Sequence, residues 1–352
     1  MGRRGRLSCD YKQEMTTENW GKTSHDPIAP PQAADVARAL WLEAPRRWQW
    51  REEAVGTPGP GEARVRTLLG SVSVGAELAL YRGEMLGVDT GEPRMTGYEN
   101  LAVVEATGDS LEPTGDSVAP AAPLAVGDVV VGWYGHRDRA VLPQSRLLPV
   151  PPALRGSPVA LLAVLGCDVA RAVRRAGVGP GQRALVLGAG ALGLLTIEAL
   201  IARGVGPAVV ETRAERVALA HGLGAISAPD ARGFDVAFDC SGDPYALGFL
   251  APRLRRRGTL VIVSDPIGSL PCLPATAYER ELAILVSSDA DDQQVEGAAF
   301  LARQAGDPER LASLFSESVD FRDLPGWFRA ADEGRFFGIK PVVRYPRAML
   351  GA

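Results

Sequence analysis

The sequence contains little lysine, histidine or cysteine. Of its 352 residues, three are Lys and three are His, so 35 of the 38 basic residues are Arg. The four cysteines, Cys9, Cys167, Cys240 and Cys272, lie far apart and form no Cys-x-x-Cys pair. This spacing argues against a dense disulfide framework and a cysteine-rich zinc module. It also leaves few residues for any metal chemistry.

Long apolar runs and sustained basic tracts are missing as well. The apolar stretches are short and broken by Arg, Gly or Glu, so no transmembrane helix is predicted. The net charge of −4 argues against nucleic acid or an anionic membrane as the main partner, which leaves a small molecule. Residues 1–35 are polar and lack the apolar segment of a secretory signal. We therefore expect a disordered tail on a cytoplasmic protein.

The remaining composition is that of a globular α/β protein. Hydrophobic residues make up 46% and charged residues 23%, and at roughly 150 residues per domain about two domains are expected. Residues 36–150 contain short runs rich in Val and Gly, which indicate a β-rich domain. Over residues 151–295 strands alternate with helices, which indicates a doubly wound parallel sheet. Residues 296–352 are mixed and include the strand-like GIKPVVRY.

A glycine-rich turn carries the clearest binding signal. Gly188, Gly190 and Gly193 fit the pattern Gly-x-Gly-x-x-Gly, directly after a four-residue apolar strand and at the start of a helix. In this context the first glycine permits the tight turn, the second admits a pyrophosphate, and the third lets the helix pack on the strand. Ala191 and Leu192 complete the turn at a helix N-terminus, where unpaired N–H groups favour an anion. The pattern predicts a dinucleotide site.

An acidic residue at the end of the next strand indicates which dinucleotide is bound. Glu211 lies 23 positions after Gly188 and is placed to accept hydrogen bonds from an adenosine ribose. It favours NAD, because a carboxylate repels a 2′-phosphate. Arg213 and Arg216 follow closely, and either guanidinium can pair with such a phosphate. NADP therefore remains open as the alternative cofactor.

The order of these segments resembles the medium-chain dehydrogenase/reductase superfamily, of the alcohol and sorbitol dehydrogenase type. The resemblance covers residues 36–346 and rests on PGPGEARVRTLL, VGAELALYRGE, GYEN, GDVVVG, RRAGVGPGQRALVLGAGALG, FDVAFDCSG, RRRGTLVIV and GIKPVV. It implies a GroES-like β-rich catalytic domain, a Rossmann domain, and a C-terminal return to the first domain. VSVGAELALYRG and GYEN are most similar to a zinc-free branch, the bacteriochlorophyllide a (hydroxyethyl) dehydrogenase group, although the pigment substrate need not carry over.

The chain departs from this family where related enzymes bind zinc. By the resemblance, Val74 occupies the Cys position, Tyr98 the His position of Gly-His-Glu, and Val164 the third ligand position. Ala76 replaces the Thr or Ser that relays the substrate proton, and the structural four-cysteine lobe is missing. A catalytic zinc site needs about three protein ligands, so we expect no zinc.

Without zinc, side chains must polarise the substrate oxygen and move a proton. Tyr98 is predicted to donate to the carbonyl oxygen, with filling of the vacated metal pocket as the alternative. His136 is a candidate proton shuttle, and a structural role is equally open. Asp168 falls where relatives place a small residue beside the nicotinamide; it is predicted to act as a base, to orient the ring, or to cap a helix. Glu99 is the fourth candidate, although it is often structural in zinc-free relatives.

Further residues are predicted to contact the cofactor. Cys240 and Ser241 follow a strand and are expected beside a ribose. Lys340 lies where the family has an Arg or Lys on the pyrophosphate. Cys167 is expected to be a small core residue, and the acidic run at 289–292 a solvated loop.

The sequence therefore predicts a zinc-independent, NAD(P)-dependent oxidoreductase. The expected reaction is hydride transfer between nicotinamide and a secondary alcohol or ketone of a specialised, biosynthetic metabolite. Two alternatives stay open: an NADPH-dependent reductase of an activated C=C bond, and a protein that keeps the dinucleotide fold but performs a non-redox step or only binds. By analogy with the family we expect a homodimer, with VIVSDPIGSLPCLP at the edge where two sheets pair.

Overall fold

The computed structural model describes residues 36–89, 91–109, 123–228, 230–287 and 293–346. The expectations for residues 1–35 and for Asp289, Asp291 and Asp292 lie outside the described residues.

The first part of the chain is β-rich, as expected from its short alternating runs of Val, Leu and Thr, which suit a half-buried pleated surface. Its strands are β1 (Val36–Ala44), β2 (Arg47–Ala54), β3 (Glu62–Ser71), β4 (Arg94–Met95), β5 (Glu99–Thr107), β6 (Val129–Gly132), β7 (Arg139–Pro143) and β8 (Leu147–Pro149). One helix, α1 (Val74–Arg82), follows β3 and ends at Gly83, whose φ of 77° suits a residue without Cβ.

Helices and strands alternate in the second part, again as expected. The strands are β9 (Ala184–Leu187), β10 (Ala208–Val210), β11 (Ile226–Ser227), β12 (Phe234–Asp239), β13 (Leu254–Ile262) and β14 (Ala283–Val286). The helices are α2 (Ala163–Ala176), α3 (Ala191–Ala202), α4 (Ala214–Gly222), α5 (Ala246–Leu250), α6 (Ala275–Glu279) and α7 (Gln293–Ala305). The chain continues through β15 (Phe315–Asp320), α8 (Leu324–Asp332) and β16 (Lys340–Arg344). Within the described ranges, none of the helices combines the length and the apolar character needed to span a membrane.

The six strands of the second part form one parallel sheet in the order β11-β10-β9-β12-β13-β14. The strand order reverses direction between β9 and β12, which are neighbours. Ligands of open parallel sheets bind in the crevice outside the carboxyl ends of the strands at such a reversal. Gly188 and Cys240 are the first residues after these two strands, so the topology brings both to that crevice.

The C-terminal strands return to the β-rich part. β16 pairs antiparallel with β3, with Val342 opposite Ser71, and β15 lies parallel to β16. A seven-stranded sheet results, in the order β15-β16-β3-β5-β6-β8 with β7 also paired to β3, beside a small sheet β2-β1-β4. Residues 315–344 therefore complete a sheet whose other strands come from residues 62–149.

One continuous apolar core joins the two parts. Leu101 and Leu148 of the β-rich sheet belong to the same buried cluster as Val186 and Phe238 of the parallel sheet. Helix α2 lies within it, because its apolar side chains recur at helical spacing, and it ends at Gly177. Burying each large apolar side chain contributes about 1.5–3 kcal/mol. Hydrophobic burial therefore holds the two parts together, as it stabilises each part by itself.

The segment expected to form a subunit edge begins on an inner strand of the parallel sheet. Residues 261–262 belong to β13, which is paired on both sides by β12 and β14. The edge strands of this sheet are β11 and β14. The segment after β13 instead approaches the end of α1, where the Gly268 N–H donates to the Glu84 carbonyl at 3.0 Å and Ile267 forms a β-bridge with Met85.

Candidate active site

The glycine turn has the shape that its sequence predicts. Gly188 has a φ of +88°, and an added Cβ would lie 3.1 Å from Cα of Ser241. A Cβ on Gly193 would overlap the carbonyl oxygen of Gly188, so only glycine lets α3 approach β9 this closely. Gly190 is the N-cap of α3, and a Cβ there would meet no atom within 4 Å. The turn thus packs tightly at its first and third glycines and is open at the second, which fits the approach of a pyrophosphate to the backbone.

Glu211 faces this turn from the end of β10. Its Oε2 accepts the Ala189 N–H at 2.8 Å, and its Oε1 accepts the N–H groups of Thr212 at 2.7 Å and Arg213 at 3.0 Å. Burial acts to raise the pKa of Glu211, but these backbone hydrogen bonds outweigh it, so the pKa is lowered. The carboxylate is therefore charged at neutral pH and lies beside the turn that would hold the dinucleotide.

Arg216 connects the parallel-sheet part with the C-terminal segment. Its Nη2 donates to the Gly338 carbonyl at 3.2 Å, and its Nε finds no partner among the residues that the structure describes. Burial, and then the neighbouring charge of Arg213, lower its pKa. Arg216 is thus tied to the C-terminal segment through Nη2, while its buried Nε is an unsatisfied donor.

The turn after β12 supplies the other wall of the crevice. Cys240 is buried with its Sγ 3.5 Å from Oγ1 of Thr196, and burial raises the pKa of its thiol to about 12. The thiol is therefore uncharged at neutral pH and acts as a small packing residue. Ser241 is exposed, and Oδ1 of Asp239 fixes it by accepting its N–H at 2.9 Å and its hydroxyl at 2.7 Å.

Tyr98 lies directly before β5, next to Gly97. Its side chain is half-buried and packs against the core cluster shared by the two parts. Burial raises the pKa of the Tyr98 phenol well above 10.0, the carboxylates of Glu99 and Glu77 raise it further, and the Ser73 side chain opposes them. A phenol is protonated at neutral pH even at its ordinary pKa of about 10, so Tyr98 can donate a hydrogen bond.

The surroundings of Tyr98 include a residue from the parallel sheet. The Asp265 carboxylate also raises the pKa of Tyr98, and Asp265 lies just beyond the carboxyl end of β13. Tyr98 therefore lies near the carboxyl ends of the parallel strands, where the glycine turn is also found.

Glu99 and Lys340 form an ion pair inside the protein. Nζ of Lys340 lies 2.6 Å from Oε1 of Glu99 and 3.4 Å from the carbonyl oxygen of Val72, and both side chains are buried. Burial raises the pKa of Glu99, and the Lys340 ammonium opposes this rise. In this conformation the ammonium is enclosed and bonded to Glu99, so the predicted pyrophosphate contact would require it to move.

A second buried pair, Glu77 with His136, was missed by the sequence analysis. Nε2 of His136 lies 2.8 Å from Oε2 of Glu77, and the other carboxylate oxygen accepts the Ser73 N–H at 2.8 Å. Because His136 is only 1% exposed, it does not reach the crevice surface as a proton shuttle would. The available signal was one acidic residue in the apolar segment VSVGAELAL.

Three of the remaining residues discussed in the sequence analysis lie on α2, and one lies on α1. Asp168 is the sixth residue of α2, and the N-cap is Leu162, so Asp168 does not cap this helix. Cys167 is fully buried and donates from Sγ to the Ala163 carbonyl at 2.9 Å, as expected of a small core residue. Val164 is a buried α2 residue, and Val74 is the first residue of α1.

The side chains at the positions that the resemblance aligns with zinc ligands do not fit zinc. Two of the three positions, Val74 and Val164, carry hydrocarbon side chains that cannot coordinate a metal, and the third is the phenol of Tyr98. Across the described ranges, no three His, Cys, Asp or Glu side chains are grouped so that they could hold a metal ion.

Comparisons with known proteins agree with this architecture. No family profile matches the chain. A curated relative from Cereibacter sphaeroides, 2-desacetyl-2-hydroxyethyl bacteriochlorophyllide A dehydrogenase, is 32% identical over 267 residues, which cover 72% of this chain and 82% of the relative.

Solved structures share the fold. The 2R,3R-butanediol dehydrogenase of Bacillus subtilis matches with a TM-score of 0.72 and 22% identity, over 88% of this chain and 99% of that one. A putative zinc-binding dehydrogenase from Sinorhizobium meliloti, bound to NADP, matches with a TM-score of 0.69 and 18% identity, over 88% and 99% of the two chains.

A parallel sheet with a glycine turn at its strand reversal, joined to a β-rich part that the C-terminus completes, defines a dinucleotide-dependent oxidoreductase. The chain belongs to the medium-chain dehydrogenase/reductase superfamily, in its alcohol dehydrogenase-like part. It consists of a GroES-like β-rich part and a Rossmann part, as the resemblance implied.

Proposed function

We propose that the protein is a zinc-independent, NAD(P)-dependent dehydrogenase that interconverts a secondary alcohol and its ketone. The observation that carries this proposal is the placement of Tyr98: the resemblance aligns it with a zinc ligand, it is half-buried against the core shared by the two parts, and its hydroxyl is a hydrogen-bond donor. A protonated phenol can donate a hydrogen bond to the substrate oxygen. That donor would stabilise the negative charge that develops on the oxygen as a ketone is reduced.

The absence of zinc ligands supports a metal-free mechanism. Val74 and Val164 provide no lone pair, so a single phenol would have to hold the ion against water. Tyr98 would instead take over the polarising role by hydrogen bonding. Removing one such donor from an enzyme costs about a hundredfold to a thousandfold in rate, which makes its contribution measurable.

The residues at the glycine turn fit a nicotinamide dinucleotide. When bound, this cofactor supplies hydride exchange with the substrate carbon. Gly190 would leave room for the pyrophosphate, and the N-terminus of α3 would direct its N–H groups at it. Ser241 and Glu211 would contact ribose hydroxyls.

We propose NAD as the favoured cofactor because Glu211 is charged. A 2′-phosphate beside its carboxylate would be repelled, and the backbone hydrogen bonds that fix the carboxylate prevent it from turning away. Arg213 and the unsatisfied Nε of Arg216 are the features that would favour NADP.

The substrate class is proposed from the same resemblance. The relative from Cereibacter sphaeroides is named for a hydroxyethyl bacteriochlorophyllide, and a bulky alcohol of a biosynthetic pathway is the corresponding expectation here. We also propose a homodimer formed at β14, because it is the edge strand next to the segment expected at the interface and its Val286 is 59% exposed.

The test is a substrate screen with the full-length protein. Secondary alcohols and ketones of increasing size are incubated with NAD(H) and with NADP(H), the absorbance of the reduced nicotinamide is followed, and the products are analysed. We expect alcohol–ketone interconversion that matches the cofactor change mole for mole. Product formed with no change in the cofactor, or reduction of C=C bonds only, would contradict the proposal.

A further inference from the structure

We propose that Glu77 is a positioning residue for Tyr98, and that it acts through the ring of His136. The inference rests on the proposed function, which gives the Tyr98 hydroxyl its task. Neither Glu77 nor His136 is placed in contact with substrate here. Their role is to fix the backbone from which the Tyr98 side chain extends.

The first step is that Glu77 itself is fixed. It lies in α1 with no exposed surface, and each of its carboxylate oxygens has one partner: the Ser73 N–H at the start of the helix and Nε2 of His136. A buried carboxylate is tolerated only when it is hydrogen-bonded in this way. Because a carboxylate accepts and does not donate, Nε2 of His136 carries the shared proton.

The second step is that the His136 ring lies directly against Gly97. A Cβ built on Gly97 would lie 2.6 Å from three atoms of that ring, so the imidazole occupies the space that a side chain would need. The backbone is tied at the same place, because the His136 N–H donates to the Thr96 carbonyl at 2.8 Å. The Asn100 side-chain amide also donates to the Gly135 carbonyl at 3.1 Å.

The third step concerns the residue between these contacts. Tyr98 follows Gly97, whose φ of +87° gives the chain a conformation that other residues rarely adopt. With Thr96 and Asn100 tied to residues 135–136, the direction of the Tyr98 side chain depends on where the His136 ring lies. Glu77 sets the position of that ring. The same carboxylate lies close enough to act on the phenol of Tyr98.

The test reads the surroundings of Tyr98 without a substrate. The full-length protein is labelled with [13Cζ]tyrosine, and Tyr98→Phe identifies one resonance among the seven tyrosines. At neutral pH we expect Glu77→Gln and His136→Ala to shift or broaden the Tyr98 resonance, and His136→Gln, which keeps an N–H donor for Glu77, to restore part of the change.

Glu198→Gln is the matched control. Glu198, in α3, is also a buried carboxylate, and its Oε1 accepts a hydrogen bond from Nε2 of Gln304 at 3.0 Å. Its loss should lower the stability of the fold but leave the Tyr98 resonance in place. If Glu77→Gln does not fold, His136→Ala gives the same readout. An unchanged Tyr98 resonance in the folded Glu77 and His136 variants, or an equal change in Glu198→Gln, would overturn the proposal.

Turnover separates this inference from the proposed function. Glu77→Gln should lower kcat by about tenfold while the cofactor affinity is kept, because a displaced donor acts on the chemical step. If Tyr98→Phe retains full turnover although the resonance moves in Glu77→Gln, the proposed function fails and the positioning of Tyr98 by Glu77 stands.

Discussion

Lys340 and Glu99, which lie 241 positions apart in the chain, form an ion pair in the interior with Nζ and Oε1 at 2.6 Å. The pair joins the first residue of β16 to the first residue of β5. It therefore links the C-terminal return directly to the segment that carries Tyr98. Two charges this deeply buried are costly unless each has its partner.

Removing the lysine should therefore destabilise the fold. Lys340→Met keeps most of the side-chain volume but leaves the Glu99 carboxylate alone, and we expect a loss of about 3–5 kcal/mol in the free energy of unfolding. Urea unfolding measures this loss. The double variant Lys340→Met/Glu99→Gln should recover part of it, because no uncompensated charge remains.

The same pair predicts a pH dependence. The pKa of Glu99 is raised in the folded state, so folding favours its protonated form, and its contribution to stability falls as pH rises above about 4.3, the value in unfolded chains. Lys340→Met should raise that pKa further. The variant should then be nearest to the wild type in mild acid and fall behind as pH increases. Stability curves that stay parallel from acid to neutral pH would contradict this reading.

Two glycines of the turn, Gly193 and Gly190, should respond differently to alanine. Gly193→Ala forces a Cβ into the Gly188 carbonyl and should cost about 1–3 kcal/mol or more. Gly190→Ala meets no atom, so its stability should change by less than about 1 kcal/mol, but its Cβ would obstruct the pyrophosphate. We expect about tenfold weaker NADH binding, read by fluorescence titration. Gly190→Ala with wild-type affinity would argue against the placement of the dinucleotide.

Cofactor choice should depend on Glu211. Glu211→Ser removes the negative charge beside the turn, and the ratio of NADP to NAD affinity should rise by about tenfold or more, because juxtaposed like charges cost several kcal/mol. Arg216→Ala is the complementary variant and should lower NADP affinity more than NAD affinity. A wild-type preference for NADP would reverse the assignment.

Metal analysis tests the zinc-free assignment. The purified protein should contain far less than one zinc per chain, since Val74 and Val164 offer no donor atoms. Its turnover should be unaffected by prolonged dialysis against a chelator. Stoichiometric zinc whose removal abolishes turnover would show that other residues hold the ion.

Most of the fold was predictable from sequence because its signals are local. The apolar run at 184–187, the glycine turn and the helix ended by Gly177 each fall where the pattern placed them. The fit of the turn to a dinucleotide follows from the same short segment.

The polar interior was not predictable, because its contacts join distant parts of the chain. Glu77 and His136 lie 59 positions apart, and no local pattern records that their side chains meet. For the same reason the sequence left His136 open between a proton shuttle and a structural role and predicted Lys340 on a pyrophosphate, whereas the structure pairs each with a buried carboxylate. The sequence analysis did not recognise β13 as an inner strand, because β13 and β14 are both apolar runs and only the sheet order distinguishes an inner strand from an edge strand.

The central claim is that the Tyr98 phenol polarises the substrate oxygen, and the kinetics of Tyr98→Phe test it most directly. Tyr134→Phe is the control, because Tyr134 is buried within the β-rich part and its hydroxyl bonds to Thr67 at 2.8 Å. With an alcohol or ketone found in the screen, Tyr98→Phe should lose about a hundredfold to a thousandfold in kcat/KM with NADH affinity unchanged, and Tyr134→Phe should not. Equal kcat/KM values for Tyr98→Phe and the wild type would contradict the account.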